Sequence, residues 1–205
     1  MKFLIVGPSW VGDAVMAQTL YKLIKESNVN SKIEVLSPNW SIPILERMEE
    51  VSRSIISPFN HGELRIKSRF DFGKELREEG YERAIIMTNS LKSSLIPFFA
   101  KIPVRTGWLG EMRFGLINDL RSKDKSNYPL MIEQFAKLSI NPIKDLNKSL
   151  HYTSLTIDSD NLKEQLIKLE IDSEKPSIAI CPGAEFGPAK KWPSNYYAEV
   201  CNEYL

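Results

Sequence analysis

Short apolar runs alternate along this chain with longer stretches whose apolar residues recur every three or four positions. Lys2–Val6, Lys32–Leu36, Val51–Ile56 and Arg83–Met87 read as strands. Val104–Thr106 reads as the edge of a fifth. Between them, Asp13 opens a helical pattern with Met16, Leu20, Leu23 and Ile24 on one face, and a loop and helix run through Ile42–Met48. A charged helix ends near Gly80, which is placed as its C′ glycine, and Leu91–Ala100 forms another helix. Strands alternating with helices at this spacing predict an α/β fold with a Rossmann-like, doubly wound parallel sheet. Further on, Lys144–Thr153 is polar and irregular, as in a linker or edge hairpin. Asn161–Glu170 reads as a helix, Ser177–Ile180 as a buried strand, and Tyr196–Leu205 as a final helix. The expected division is a first domain over residues 1–170 and the opening strand–loop–helix of a second over 171–205. About 35 residues is below the roughly 40 that usually fold alone, so the second domain is expected to be cut short.

Composition narrows the function classes. The 205 residues carry 27 basic and 26 acidic side chains, a net charge of +1, which argues against a general nucleic-acid binder. Two cysteines, Cys181 and Cys201, are too few for a disulfide framework and suit a reducing cytoplasm. No apolar stretch reaches the length of a membrane span.

Two segments carry candidate chemistry. Cys181–Pro193 reads C-P-G-A-E-F-G-P-A-K-K-W-P, a Gly/Pro-rich loop between a predicted strand and a predicted helix start. Backbone N–H groups, a helix dipole and an ammonium then share one small volume, which suits a phosphate. Gly187, Lys190 and Lys191 are its candidate residues, although lysine pairs are commonly plain solvated surface. Trp192 is expected to pack, not to stack on a ligand. Gly7–Gly12 has P-loop spacing, but Asp13 and Ala14 stand where Lys and Ser/Thr are required. Asp13 is either a plain N-cap or a general base. A helix N-terminus is expected to lower its pKa and keep it ionised. Asp158-Ser159-Asp160 matches a metal-binding D-x-D, but the capping-box-like Asn161…Glu164 beside it favours a helix start. With His61 and His151 as the only histidines, no metal site and no cofactor are expected. Arg65, Lys67, Arg69, Lys92, Lys101, Arg105 and Arg113 make the middle of the first domain locally basic; such charges are mostly solvated, and some suit an anionic ligand.

Four stretches carry a resemblance: G-P-S-W-V-G-D-A-V-M-A-Q (Gly7–Gln18), N-S-L-K-S (Asn89–Ser93), P-F-F-A-K-I-P-V-R-T-G-W-L-G-E-M-R-F-G-L-I-N-D-L (Pro97–Leu120) and P-G-A-E-F-G-P-A-K-K-W-P (Pro182–Pro193). In these the chain resembles the bacterial ADP-heptose:lipopolysaccharide heptosyltransferases of glycosyltransferase family 9. The resemblance implies the N-terminal half of a GT-B fold with only the start of the donor domain. It implies inverting, metal-independent transfer of heptose from ADP-heptose to the heptosyl-Kdo2-lipid A inner core in lipopolysaccharide biosynthesis. Asp13 would be the catalytic base and Lys190 the donor-phosphate contact. Ser9, Trp10, Glu111 and Arg113 are placed on the acceptor side. The expected setting is cytoplasmic, with peripheral contact at the inner membrane, and the short chain alone is expected to be inactive. The alternatives are a sister transferase with another sugar or acceptor, and a non-catalytic module that binds an anionic glycolipid.

Overall fold

The computed structural model describes residues 1–60, 62–140, 150–184 and 187–204. They form two compact units, Met1–Ile157 and Asp158–Leu205. Unit 1 is built on six parallel strands: β1 (Lys2–Val6), β2 (Lys32–Ser37), β3 (Val51–Ile56), β4 (Arg83–Ile86), β5 (Val104–Trp108) and β6 (Asp119–Arg121). Their order across the sheet is β3-β2-β1-β4-β5-β6. The order reverses between β1 and β4, which pair in register from Phe3↔Arg83 to Val6↔Ile86.

Both faces of this sheet are covered, because successive side chains on a strand point to opposite sides. From β1, Phe3 and Ile5 join Ile33, Val35, Ile85 and Trp108 on one face. Leu4 and Val6 join Leu36, Ala84 and Ile86 on the other. The first face is covered by α1 (Val11–Met16), α2 (Gln18–Ser27), α3 (Ile42–Leu45) and α6 (Met131–Ala136), which contribute Leu20, Tyr21, Ile24, Leu45 and Phe135. The second is covered by α4 (Ile66–Glu75) and α5 (Leu91–Phe99), the latter through Ile96. The expected single helix from Asp13 is two, α1 and α2, joined at Ala17. Gly80 closes the turn Leu76–Glu79 in a left-handed conformation, φ 67°, as expected of a C′ glycine.

The amino ends of the central strands carry a charged network. The buried Glu34 accepts a 2.6 Å hydrogen bond from the Tyr81 hydroxyl and lies 3.0 Å from Lys2 Nζ. Glu79 bridges Lys2 at 2.6 Å and Arg53 at 3.0 Å. Burial, then the bond to Glu34, pushes the Tyr81 hydroxyl pKa upward. Nothing in this network faces the carboxyl ends of the strands, so it reads as support for the sheet.

α4 and α5 approach each other at Gly73. A Cβ there would stand 2.7 Å from Phe99 Cβ and 2.9 Å from the Ile96 carbonyl. One of those neighbours is backbone and cannot yield without moving α5. Gly73→Ala is expected to lower unfolding stability by about 1–3 kcal/mol in urea titration, despite the better helix propensity of alanine. An unchanged midpoint would show that the two helices separate freely.

Unit 2 contains α7 (Ser159–Lys168) and α8 (Ser194–Tyr204). α7 starts at Ser159 because Asp158 Oδ1 accepts from the Asp160 and Asn161 amides, at 3.1 and 3.0 Å. The D-x-D is therefore a helix cap in this fold. The helix expected at Asn161–Glu170 begins and ends two residues earlier and falls in unit 2, since the compact units divide at Ile157/Asp158. The strand expected at Ser177–Ile180 is not formed, and Ile178 and Ile180 are 46% and 42% exposed. A strand exists only as a member of a ladder, and the described residues of unit 2 offer none to pair with. Residues 141–149, with most of the expected linker, lie outside the described residues, as do His61, Glu185, Phe186 and Leu205.

Candidate active site

The carboxyl ends of β1, β4 and β5 lie side by side, and the first two flank the point where strand order reverses. Open α/β sheets hold their ligands in the crevice at that position. Three loops form it here: Gly7–Trp10 after β1, Met87–Ser90 after β4, and Leu109–Phe114 after β5.

The first loop is fixed from both sides. Gly7 N–H donates to the Leu36 carbonyl at 2.9 Å, and a Cβ at Gly7 would press on Val35 Cγ1 at 3.2 Å. The Ser9 carbonyl accepts from the Trp40 indole at 2.9 Å. That contact spans 31 residues, and no local pattern announces it. Trp10, half-exposed, occupies the N-cap position of α1, so Asp13 is a first-turn residue and not the cap. Its carboxylate is half-buried and has no hydrogen bond or ion pair among the described residues. Burial raises its pKa, the reverse of the lowering expected from a helix terminus. α1 has only six residues and gives the carboxylate no capping bond that would favour its charged form.

The β5 loop is held by its own arginine. Arg113, 1% exposed, donates from Nη2 to the Trp108 carbonyl at 2.6 Å, from Nη1 to Thr88 at 2.8 Å and from Nε to Gly110 at 3.3 Å. This ties the β5 loop to the β4 loop. Burial lowers its pKa, while the nearby Glu111 works the other way. Arg113 was expected to meet the acceptor; its fork is instead turned inward and satisfied by backbone. Glu111 also acts within the protein, its Oε2 accepting from the first amide of α5, Leu91 N–H, at 2.8 Å. Glu111 and Met112 both adopt left-handed backbone, φ 46° and 48°, and Met112 and Phe114 stand 83% and 70% exposed. Of the seven basic residues expected to be solvated or ligand-facing, two more are structural. Arg69 is buried and donates to the Leu64 and Glu63 carbonyls at 2.6 and 3.0 Å, and Arg105 donates to those of Leu116, Ile102 and Gly115. Sequence reasoning also passed over Thr88, whose hydroxyl is buried without a hydrogen-bond partner beside the Arg113 contact.

In unit 2, Pro188–Lys190 forms a single 3-10 turn entered through Gly187, φ 73°. Lys191 follows in extended conformation, exposed, and α8 begins three residues later at Ser194. Trp192 stacks on Tyr196, ring centroids 5.6 Å apart, and meets Tyr197 edge-on at 4.8 Å. Of the expected order of strand, loop, lysine and helix start, the last three are present and the strand is not.

Residues 69–205 match glycosyltransferase family 9 (heptosyltransferase). The chain is 45% identical to lipopolysaccharide heptosyltransferase 2 of Salmonella typhimurium, an alignment that takes in all of this chain and 60% of that protein. It superposes on ADP-heptose lps heptosyltransferase II of E. coli with a TM-score of 0.88 at 41% identity, covering 100% of this chain and 61% of that one. A glycosyl transferase family 9 structure from Veillonella parvula shares the fold, TM-score 0.80 at 13% identity. The chain thus spans about three-fifths of the length of these relatives, and its sheet is the Rossmann-like sheet of their GT-B fold. With two-thirds of its residues matched and the whole chain aligned to heptosyltransferases, this protein belongs to glycosyltransferase family 9.

Proposed function

We propose that this chain carries the acceptor domain and the opening of the donor domain of a heptosyltransferase, with ADP-heptose as donor and the heptosyl-Kdo2-lipid A inner core as acceptor. Family membership supports the reaction class. The observation that carries the mechanism is Asp13, a partly desolvated carboxylate just beyond the carboxyl end of β1 with no partner among the described residues. Such a carboxylate suits a general base: removal from water raises its proton affinity, and no cation among the described residues holds the charge in place. The acceptor hydroxyl oxygen attacks the anomeric carbon, its proton passes to Asp13, and the bond from that carbon to the diphosphate oxygen breaks on the opposite face, with inversion. The departing ADP gains negative charge, which Lys190, Lys191 and the backbone around Gly187 are suited to stabilise. Ser9 and Trp10 line the loop that presents Asp13 and would face the acceptor, whereas Glu111 and Arg113 would act by shaping the adjoining loop. A lipid-anchored acceptor would be met at a membrane surface, and on this reading the enzyme works at the cytoplasmic face of the inner membrane.

The direct test is transfer of labelled heptose from ADP-heptose to heptosyl-Kdo2-lipid A. Residues 1–205 are assayed alone and continued into the remainder of the Salmonella typhimurium relative. Transfer by either, with a matching release of ADP, supports the reading. Acceptor binding without turnover in both favours the non-catalytic glycolipid module.

A further inference from the structure

Residues 150–157 form neither helix nor strand, yet α2 holds the backbone of residues 151–154. Gln18, the first residue of α2 and 1% exposed, pairs with Ser154 in both directions: Nε2 donates to the Ser154 carbonyl at 2.7 Å, and Oε1 accepts from its amide at 2.8 Å. The same Nε2 reaches Glu50 Oε2 at 2.9 Å. Thr19 Oγ1 donates to the His151 carbonyl at 3.0 Å, and Lys22 Nζ donates to the Tyr152 carbonyl and the Ser154 hydroxyl, each at 2.8 Å. A backbone bond from Thr156 N–H to the Arg47 carbonyl, 2.8 Å, secures the far end. Apolar burial contributes little past the start. Leu150 packs against Leu23 and Ala136, but Tyr152, Leu155 and Ile157 are 89%, 39% and 76% exposed.

We propose that Gln18, Thr19 and Lys22 form a latch, and that residues 151–157 are a strap that opens as one unit while the sheet of unit 1 stays folded. Segments held by polar bonds with little buried apolar surface open locally, well below the free energy of global unfolding. Here those bonds come from neighbouring turns of one helix and converge on three residues, His151, Tyr152 and Ser154, so losing one loosens the rest. The strap runs directly into Asp158, where unit 2 begins. Gln18 also lies five residues after Asp13, across the α1–α2 junction at Ala17. The latch thus ties the chain's exit from unit 1 to the helices that follow the β1 loop.

Residue-resolved amide exchange on the 205-residue chain tests it. Ser154 N–H is bonded to Gln18, whereas Thr156 N–H is bonded to Arg47. In Gln18→Ala, both amides are expected to exchange about tenfold faster or more, while Ile5 and Ile85 in the central strands keep wild-type rates. Lys22→Met, which touches neither amide, should accelerate both as well, and chymotrypsin should cut faster after Tyr152. Acceleration of Ser154 alone would mean independent contacts and no strap. Exchange of the strap amides together with Ile5 and Ile85 in the wild type would make the segment part of global unfolding, and would equally overturn the proposal. If Gln18→Ala loses protection throughout the sheet, Thr156 in Lys22→Met decides.

Discussion

Asp13→Asn is expected to lower heptose transfer about a hundred- to ten-thousand-fold, the range typical for loss of a positioned general base. The amide keeps the size of the carboxylate and removes its capacity to take a proton. Stability should move the other way, if at all. Burial raises the Asp13 pKa above its unfolded value, so the folded state favours the protonated form. Below the unfolded pKa both states are protonated and no penalty applies. As pH rises through the folded pKa the native carboxylate ionises in a partly desolvated place, and stability is lost. At neutral pH the wild type carries that penalty and Asp13→Asn does not, so thermal unfolding of the variant should occur at the same or a slightly higher temperature. In the wild type kcat/KM should rise with pH through an apparent pKa above the ordinary carboxylate value of about 3.9, and this acid limb should vanish from the residual activity of the variant. A variant that keeps most of its rate would reduce Asp13 to a first-turn helix residue and remove the mechanism.

Arg113→Ala should be the most damaging single change near the crevice. It removes a side chain that is 1% exposed and takes its donors from the carbonyls of Trp108 and Thr88, whereas the exposed Gly110 keeps its bond from the backbone N–H of residue 113 at 3.4 Å. Each buried acceptor so stranded costs about 1–3 kcal/mol, and the chain relaxes only in part, so a total loss of about 3 kcal/mol is expected from denaturant titration. The β5 loop should suffer beyond that figure. Left-handed backbone at two consecutive non-glycine residues, Glu111 and Met112, persists only while its surroundings hold it. Without Arg113 the loop should relax, and the Leu91 amide should lose the Glu111 cap and exchange faster. Arg113→Lys should recover little, because a single ammonium cannot reproduce three donors set in a planar fork. A rescue by lysine would show that the charge matters here, and not the geometry, returning Arg113 to a ligand-facing role.

Most of the fold was legible because it rests on local periodicity. β1 and β3 match the expected Lys2–Val6 and Val51–Ile56, since runs of apolar and β-branched residues have few other stable solutions. Gly80 was legible for a comparable reason: a left-handed helix end selects glycine. Two elements were not. β6 is three residues, Asp-Leu-Arg, with no alternation to read, and exists because β5 offers it a ladder from Thr106↔Asp119 to Trp108↔Arg121. α6 is six residues long and is held by packing of Phe135 into the core on the α1–α2 face, not by its own propensity. Ser177–Ile180 errs in the opposite direction: its pattern suits a strand, but pairing requires a neighbour and unit 2 presents none among the described residues.

The site divides along the same line. That Asp13 follows β1 in the first turn of a helix, and that a loop with Lys190 precedes α8, could be read from residue type and position, because strand ends and helix starts have local signals. Which way a charged side chain turns had no such local rule. Arg69, Arg105 and Arg113 look alike in the sequence to Arg65 and Lys92, yet their guanidinium groups bind loop carbonyls up to 25 residues away. The sign of the Asp13 shift was misjudged for the same reason, since desolvation depends on what other parts of the chain pack around the carboxylate. Periodicity and turn chemistry are carried by neighbouring residues and can be read in one dimension. Burial, and every charge that responds to it, arises only when distant segments meet.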